Sequence, residues 1–428
     1  MTFEDLKLIS VLTKTVRQLG YEEPTPIQSL AIPDILAGRD VLGLAQTGTG
    51  KTAAFSLPIL QQIHTAPQAK GKKKVHTLVL TPTRELANQV YKSFAEYGTR
   101  TQVQQVVLYG GVGYGPQIDK LKRGVDVVVA TPGRLMDMMK QRHIDLSAVQ
   151  TFVLDEADRM LDMGFIDDIR LVVRALPKQR QTLLFSATMP MKIRHLANSI
   201  MEDPVEVSVT PSATTVDAIE QQVYFVERGD KPGLLMHLLE DEATSRVLVF
   251  VNTRHSAESL VKRLSRQKIT ADDIHGNKSQ KVRERTLKKF LKGAVRVLVA
   301  TDVAARGLDF EDITHVVNYD VPEDVENYVH RIGRTGRAGA SGIALSFCAI
   351  EERPIWAQIE RLIRKNPVIV EDHPFPSPLR APTPTDVERS TTNSEPTTLG
   401  TDRSSWGKPI TKPTGWSSKV RRPGRKRR

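Results

Sequence analysis

Short runs of apolar, mostly β-branched residues recur along the chain. Each is followed by a polar or glycine-rich knot and then by helical spacing. "DVLGLA" (40–45) leads into "QTGTGKT", "HTLVL" (76–80) into "TPTRELA" and "VDVVVA" (125–130) into "TPGR". "TFVL" (151–154) leads into "DEAD" and "QTLLF" (181–185) into "SAT". Later, "RVLVFV" (246–251) leads into "NTRHSAESL" and "VRVLVA" (295–300) into "TDVAARGLD". Such runs alternating with helices predict buried parallel strands in α/β, doubly wound sheets. Ligands of these sheets bind beyond the carboxyl ends of the strands, where every knot falls. The pattern stops around "MEDPVEVSVTPSATTVDAIEQ" and restarts near Val247, so two α/β domains are expected, 1–208 and 218–370, with a linker at 209–217. From 371 to 428 the composition shifts to Pro, Ser, Thr and charge, which predicts a disordered tail.

A length of 428 residues agrees with more than one core. No apolar run reaches the roughly 18 residues of a membrane span. The N-terminus "MTFEDLKLIS" lacks a basic-then-apolar secretory layout. Cys348 is the sole cysteine, so no disulfide forms within the chain, and a cytoplasmic location with no membrane contact is expected. Net charge is +12, and residues 371–428 hold 12 Lys/Arg against 6 Asp/Glu, half of the excess. The chain ends "KVRRPGRKRR", which points to a polyanionic partner.

"AQTGTGKT" (45–52) has the spacing of a phosphate-binding loop, with Ala45 where the strict pattern has glycine. Gly48 and Gly50 let backbone N–H groups converge on phosphate oxygens at a helix start. Lys51 would reach the β- and γ-phosphates, and Thr52 would ligate Mg²⁺. "FVLDEADRMLDMGF" (152–165) then delivers a second acidic strand end. Asp155 would meet the magnesium, Glu156 would orient and deprotonate the attacking water, and Asp158 would bond inward to hold the loop. In "GYEEPTPIQ" (20–28), the Gln28 amide offers a donor and an acceptor to the adenine edge, and Tyr21 could stack on the ring.

Together these stretches resemble the DEAD-box family of ATP-dependent RNA helicases over about residues 1–350, and most closely its bacterial RhlE-type subgroup. "GYEEPTPIQ" resembles the adenine-reading Q motif, with Phe3 as its upstream aromatic. "AQTGTGKT" (Ala45, Gln46, Thr47, Gly48, Thr49, Gly50, Lys51, Thr52) and "DEAD" resemble the ATP and Mg²⁺ motifs. "PTRELA" (82–87), "GG" (110–111) and "TPGR" (131–134) resemble RNA-contacting motifs, and "SAT" (186–188) the coupling motif. "VFVNTR" (249–254), "QKVRER" (280–285), "ATDVAARGLD" (300–309) and "HRIGRTGR" (330–337) follow in family order. The resemblance implies two RecA-like domains that close on each other. It implies Arg334 and Arg337 as arginine fingers, Gly307 and Asp309 at the nucleotide ribose, and coupling through Asp158, Ser186, Thr188, His330 and Arg331. His330 and Arg331 would pair with the acidic and SAT motifs of the first domain. RNA backbone would be held by Pro82, Arg84, Gly110, Gly111, Thr131, Pro132, Gly133 and Arg134 below, and by Thr253, Arg254, Gly276 and Thr301 above. Aromatics are 5 % of residues, which argues against a base-stacking platform and for sequence-independent contact.

The implied activity is RNA-stimulated ATP hydrolysis coupled to local, non-processive unwinding of short duplexes or remodelling of RNA–protein complexes. An ATP-gated RNA clamp is the alternative. Ribosome-assembly or RNA-decay proteins are candidate partners, and the basic tail would tether RNA.

Overall fold

A computed structural model of the chain describes residues 1–46, 48–67, 71–209, 219–305, 313–336, 342–363 and 366–377. The first sheet holds β1 (Val41–Leu44), β2 (Thr77–Leu80), β3 (Gln105–Leu108), β4 (Val127–Ala130), β5 (Thr151–Asp155), β6 (Gln181–Ser186) and β7 (Val205–Ser208). The second holds β8 (Ile219–Phe225), β9 (Val247–Phe250), β10 (Ala271–Ile274), β11 (Val297–Ala300), β12 (His315–Asn318), β13 (Gly342–Cys348) and β14 (Val368–Ile369). Strand order is β3-β4-β2-β5-β6-β1-β7 in one and β10-β11-β9-β12-β13-β8-β14 in the other. Position for position this is the same winding, and every pairing is parallel. These are tandem RecA-like lobes.

All seven runs singled out in the sequence contain a strand. β2, β4, β9 and β11 are buried at every residue, because central parallel strands are covered by helices on both faces and must be apolar throughout. The outer strands differ: β14 is exposed and β7 only half so, and neither carries such a signal. On one face of the first sheet, Phe55 stands 5.5 Å from Phe185 and 6.2 Å from Phe94, ring centre to ring centre. Each such buried ring contributes about 1.5–3 kcal/mol. Apolar clusters cover both faces of each sheet.

The packed chain runs past 370, where the composition shifts. The Phe375 ring covers Gly233, His373 packs edge-on against Tyr224 at 5.5 Å, and the Ser377 N–H donates to the Phe225 carbonyl at 3.0 Å. Residues 371–377 therefore dock on the second lobe instead of joining a disordered tail, held by the Phe375 and His373 rings, one backbone bond and the Ser377 hydroxyl, which donates to Glu227 Oε1 at 2.8 Å. Residues 378–428 and 210–218, most of the expected tail and linker, lie outside the described residues.

Candidate active site

Three neighbouring strands end at one level. Asp155 of β5 lies opposite Phe185 of β6, and Ser186 lies opposite Leu44 of β1, so the acidic knot, the SAT knot and the phosphate loop share one edge. The helix Lys51–Thr65 starts from Gly50, whose φ of 93° suits glycine. A β-carbon there would strike the Gln28 amide and stand 2.8 Å from Thr25 Oγ1. Gln28 is buried; its Nε2 donates to the Gly50 carbonyl at 3.1 Å and its Oε1 accepts the Thr25 N–H at 3.0 Å. The amide is thus bonded to the loop and to its own helix start, with one hydrogen and one lone pair still available. Lys51 is buried and its ammonium donates to the Ala45 carbonyl at 2.8 Å, since a buried charge needs an acceptor. Thr49 Oγ1 donates to the Gln46 carbonyl at 2.7 Å, and Thr52 is half-buried. Tyr21 is 41 % exposed, with its ring edge-to-face on Tyr97 at 6.2 Å. Phe3 is 2 % exposed and packed into the first-lobe core, so it supports the helices and has no face for a nucleotide.

Asp155 is buried and its Oδ1 has no hydrogen-bond partner. Burial pushes its carboxyl up to about 7; Lys51 pulls the other way and Glu156 adds to the rise. An orphaned carboxylate oxygen beside a phosphate loop fits a hard divalent cation. Glu156 adopts a left-handed backbone (φ 57°, ψ 53°) at the start of the helix Ala157–Asp162, and its Oε2 accepts from Arg159 Nη1 at 2.8 Å. Asp158 Oδ2 collects the Ala187 N–H, the Thr188 N–H and the Thr188 hydroxyl at 3.1, 2.9 and 3.1 Å. Burial pushes Asp158 up, but Lys51 and the Thr188 N–H hold it below the usual carboxylate range. The Asp158 N–H donates to Ser186 Oγ at 3.2 Å, which closes the acidic knot onto SAT.

In the second lobe the helix Val325–Ile332 carries His330 and Arg331, with Arg334 just beyond. Burial first, then Arg159, bring His330 down to about 4, against Asp158 and Glu156, which favour its charge. These first-lobe groups place His330 at the seam between the lobes. Arg334 is buried, with its Nε donating to the His330 carbonyl at 3.2 Å. Arg331 departs from expectation. Its Nε and Nη2 grip the Asp302 carboxylate at 2.6 and 2.7 Å, and Nη1 donates to the Asp320 carbonyl at 2.7 Å. Nη2 also meets Asn252 Oδ1 at 3.0 Å. The Asp302 carboxylate, just beyond β11, takes the guanidinium fork, so Arg331 stays wholly within its own lobe.

Residues 25–196 match the family of DEAD/DEAH box helicases, and residues 230–339 match the helicase conserved C-terminal domain. The chain belongs to the DEAD-box ATP-dependent RNA helicases. The DEAD-box ATP-dependent RNA helicase CshA of Bacillus subtilis is 44 % identical over 85 % of this chain and 73 % of its own length. The ATP-dependent RNA helicase RhlB of Vibrio campbellii is 43 % identical over 89 % of this chain and 90 % of its own. Among solved structures, S. cerevisiae Dbp5 bound to RNA and ADP BeF3 is similar at a TM-score of 0.77 and 32 % identity, covering 86 % of this chain and 95 % of that one. Mss116p bound to ssRNA and AMP-PNP is similar at 0.78 and 29 %, covering 87 % and 79 %.

In this helicase the remaining candidates gather on the other half of each sheet, after β2, β3 and β4 and after β9, β10 and β11. The Arg84 guanidinium lies against Gly111, where a β-carbon would collide with it and where φ is 81°. Gly110 is its neighbour, Pro82 and Pro132 are buried, and Gly133 is exposed. Arg134 stacks 4.0 Å from the Tyr114 ring centre and donates from Nη2 to the Val112 carbonyl at 2.9 Å. Its Nε and Nη1 are buried without a partner, which suits an anion. Thr253, Arg254 and Gly276 are exposed and Thr301 half-buried. Across the seam, Glu85 Oε1 meets Arg283 Nη2 at 2.9 Å and Gln280 Nε2 at 3.2 Å. Those three residues, and Arg159, were not among the candidates. Arg159 follows Glu156 by three positions on a helix and was open to detection by spacing. The Glu85 contacts span 195 positions or more and left no local trace. Thr47, Gly307, Asp309 and Arg337 lie outside the described residues.

Proposed function

We propose that ATP and RNA together draw the two lobes closed, and that closure bends one RNA strand, opens a few base pairs locally and releases the partner strand. The observation that carries this reading is the divided site. The phosphate loop and acidic knot belong to one lobe, while His330 and Arg334 reach the same place from the other. Phosphoryl transfer is catalysed by positioning and charge stabilisation, so a site split across a seam works only when closed.

Lys51 grips the β- and γ-phosphates, Gln28 and Tyr21 take the adenine, and Gly307 and Asp309 the ribose. Asp155 and Thr52 hold Mg²⁺, which supplies charge neutralisation on the phosphates when bound. Glu156 accepts the proton of the attacking water, and Arg334 with Arg337 offsets charge on the γ-phosphate. Asp158, Ser186, Thr188 and His330 relay closure between lobes. The strand-end residues on the other half of each sheet hold RNA backbone without reading bases. The lobes divide at the segment 209–217, the second running on to 377, and the basic tail beyond it adds an electrostatic hold on RNA. A cytoplasmic, RhlE-type helicase acting on ribosomal precursors or decaying messages fits this chemistry.

Strand displacement on a short RNA duplex, with ATP, tests the reading. The parental chain is expected to separate the strands, and Glu156→Gln is expected to bind ATP yet lose about 10²–10⁴ in hydrolysis. Stable RNA binding with ATP but no strand release would favour the clamp. Hydrolysis by Glu156→Gln at the parental rate would remove Glu156 from its role.

A further inference from the structure

Two buried arginines flank the nucleotide cleft, and they are bonded very differently. Arg331 has five hydrogen-bond contacts for its five N–H hydrogens, to Asp302, Asn318, Asp320 and Asn252, and its guanidinium lies 5.1 Å from the Phe250 ring centre. That is the bonding of a structural arginine. Arg159 is as deeply buried, but it donates from Nη1 to Glu156 while its Nη2 is buried with no partner. A buried donor left unpaired costs about 1–3 kcal/mol, so an arginine kept only for packing would shed it. The partner is unusual as well. Glu156 is not glycine, yet its φ is 57°, a conformation that costs about 1–3 kcal/mol and gathers at functional positions. Both side chains of the pair are 3–4 % exposed, so water does not loosen it. Arg159 also faces the seam, since its charge helps to keep His330 neutral.

We propose that Arg159 is a positioning residue for Glu156 in ATP hydrolysis. Its Nη1–H bonds Oε2, which holds the carboxylate in one rotamer for proton acceptance. In the step itself, a water O–H bond breaks, its proton goes to the Glu156 carboxylate and the water oxygen bonds to the γ-phosphorus. The bond from that phosphorus to the bridging oxygen breaks, and its electron pair leaves with ADP. The under-bonded guanidinium can move with the carboxylate as water is engaged, which a fully bonded one could not. This inference rests on Glu156 acting as the base.

The test uses the full chain with single-stranded RNA, comparing Arg159→Met, Arg159→Lys, Glu156→Gln and the double Glu156→Gln/Arg159→Met. In Arg159→Met, kcat should fall about 10²-fold, the scale of a catalytic group displaced by about 1 Å, while KM for ATP stays within about twofold. Arg159→Lys should recover most of that loss. The double variant should be no slower than Glu156→Gln alone, because the arginine acts through the carboxylate. Normal kcat in Arg159→Met, a loss carried by KM, or a loss that multiplies with Glu156→Gln would each overturn the inference while the base assignment stood. A Glu156→Gln chain at the parental rate would overturn the assignment and the inference together.

Discussion

The two lobes wind identically, yet their matching loops divide into a half that is repeated and a half that is not. After β2 comes Thr83–Arg84 and after its counterpart β9 comes Thr253–Arg254. Both threonines cap a helix, Thr83 accepting from the Leu86 N–H at 3.2 Å and Thr253 from the Ser256 N–H at 3.1 Å. Gly110 and Gly111 after β3 answer to Gly276 after β10, and Thr131 after β4 to Thr301 after β11. On the nucleotide half the likeness ends. Lys51 opens the helix after β1 and Lys231 opens the helix after β8, at the same place in the winding. Among the described residues, Lys51 rests only on a carbonyl of its own loop. Lys231, 1 % exposed, is already paired with Glu352 at 2.6 Å and the Tyr319 carbonyl at 2.8 Å, with Asp320 at 3.8 Å. The second lobe supplies its own anions where the first keeps a place for a ligand's. Fold alone therefore does not single out a ligand site; the partners of the matching lysines differ.

The largest effect expected is on the group the second lobe lends to the first. Arg334→Ala should reduce RNA-stimulated kcat about 10³-fold, the lower range for an arginine finger, with ATP affinity near parental. An unchanged rate would mean that the lobes contribute independently. Next come the two lysines, which should respond in opposite ways. Lys51→Met should weaken ATP about 10–100-fold, as for one lost hydrogen bond to a charged group, and leave urea unfolding nearly unmoved. Lys231→Met should leave ATP affinity alone and cost about 2–3 kcal/mol in urea unfolding, less than for a fully buried pair because Glu352 is 20 % exposed. Similar profiles for both would dissolve the contrast. The smallest effect concerns the residues just ahead of these lysines. Gly50→Ala should cost about 1–2 kcal/mol for its left-handed backbone, besides the clash with Gln28. Asp230, exposed and with φ of −95°, should become alanine within about 0.5 kcal/mol in the same urea unfolding.

Much of this was legible along the chain. β4, "VVVA", announces itself because both of its faces are covered. β10, "ADDI", does not, since Asp272 and Asp273 are tolerable in a strand only once Thr286 and Lys278 arrive to bond them. The phosphate loop and the acidic knot were readable because each is a contiguous turn whose chemistry is written in neighbouring residues. Phe3 and Arg331 were misplaced for the opposite reason: a ring or a guanidinium reaches several ångströms from its own backbone, and its position in a motif does not say what it will touch.

By itself, then, the sequence determined the two parallel doubly wound sheets, the glycine loop that opens the helix at Lys51 and the carboxylates after β5, because strand periodicity and turn geometry are local. The tertiary structure alone decided that Arg331 is spent on Asp302, that Glu85 meets Arg283 across the seam and that Lys231 is sealed by Glu352. Those are competitions among charged groups far apart in sequence, and they are settled by distance and burial, which appear only once the chain has folded.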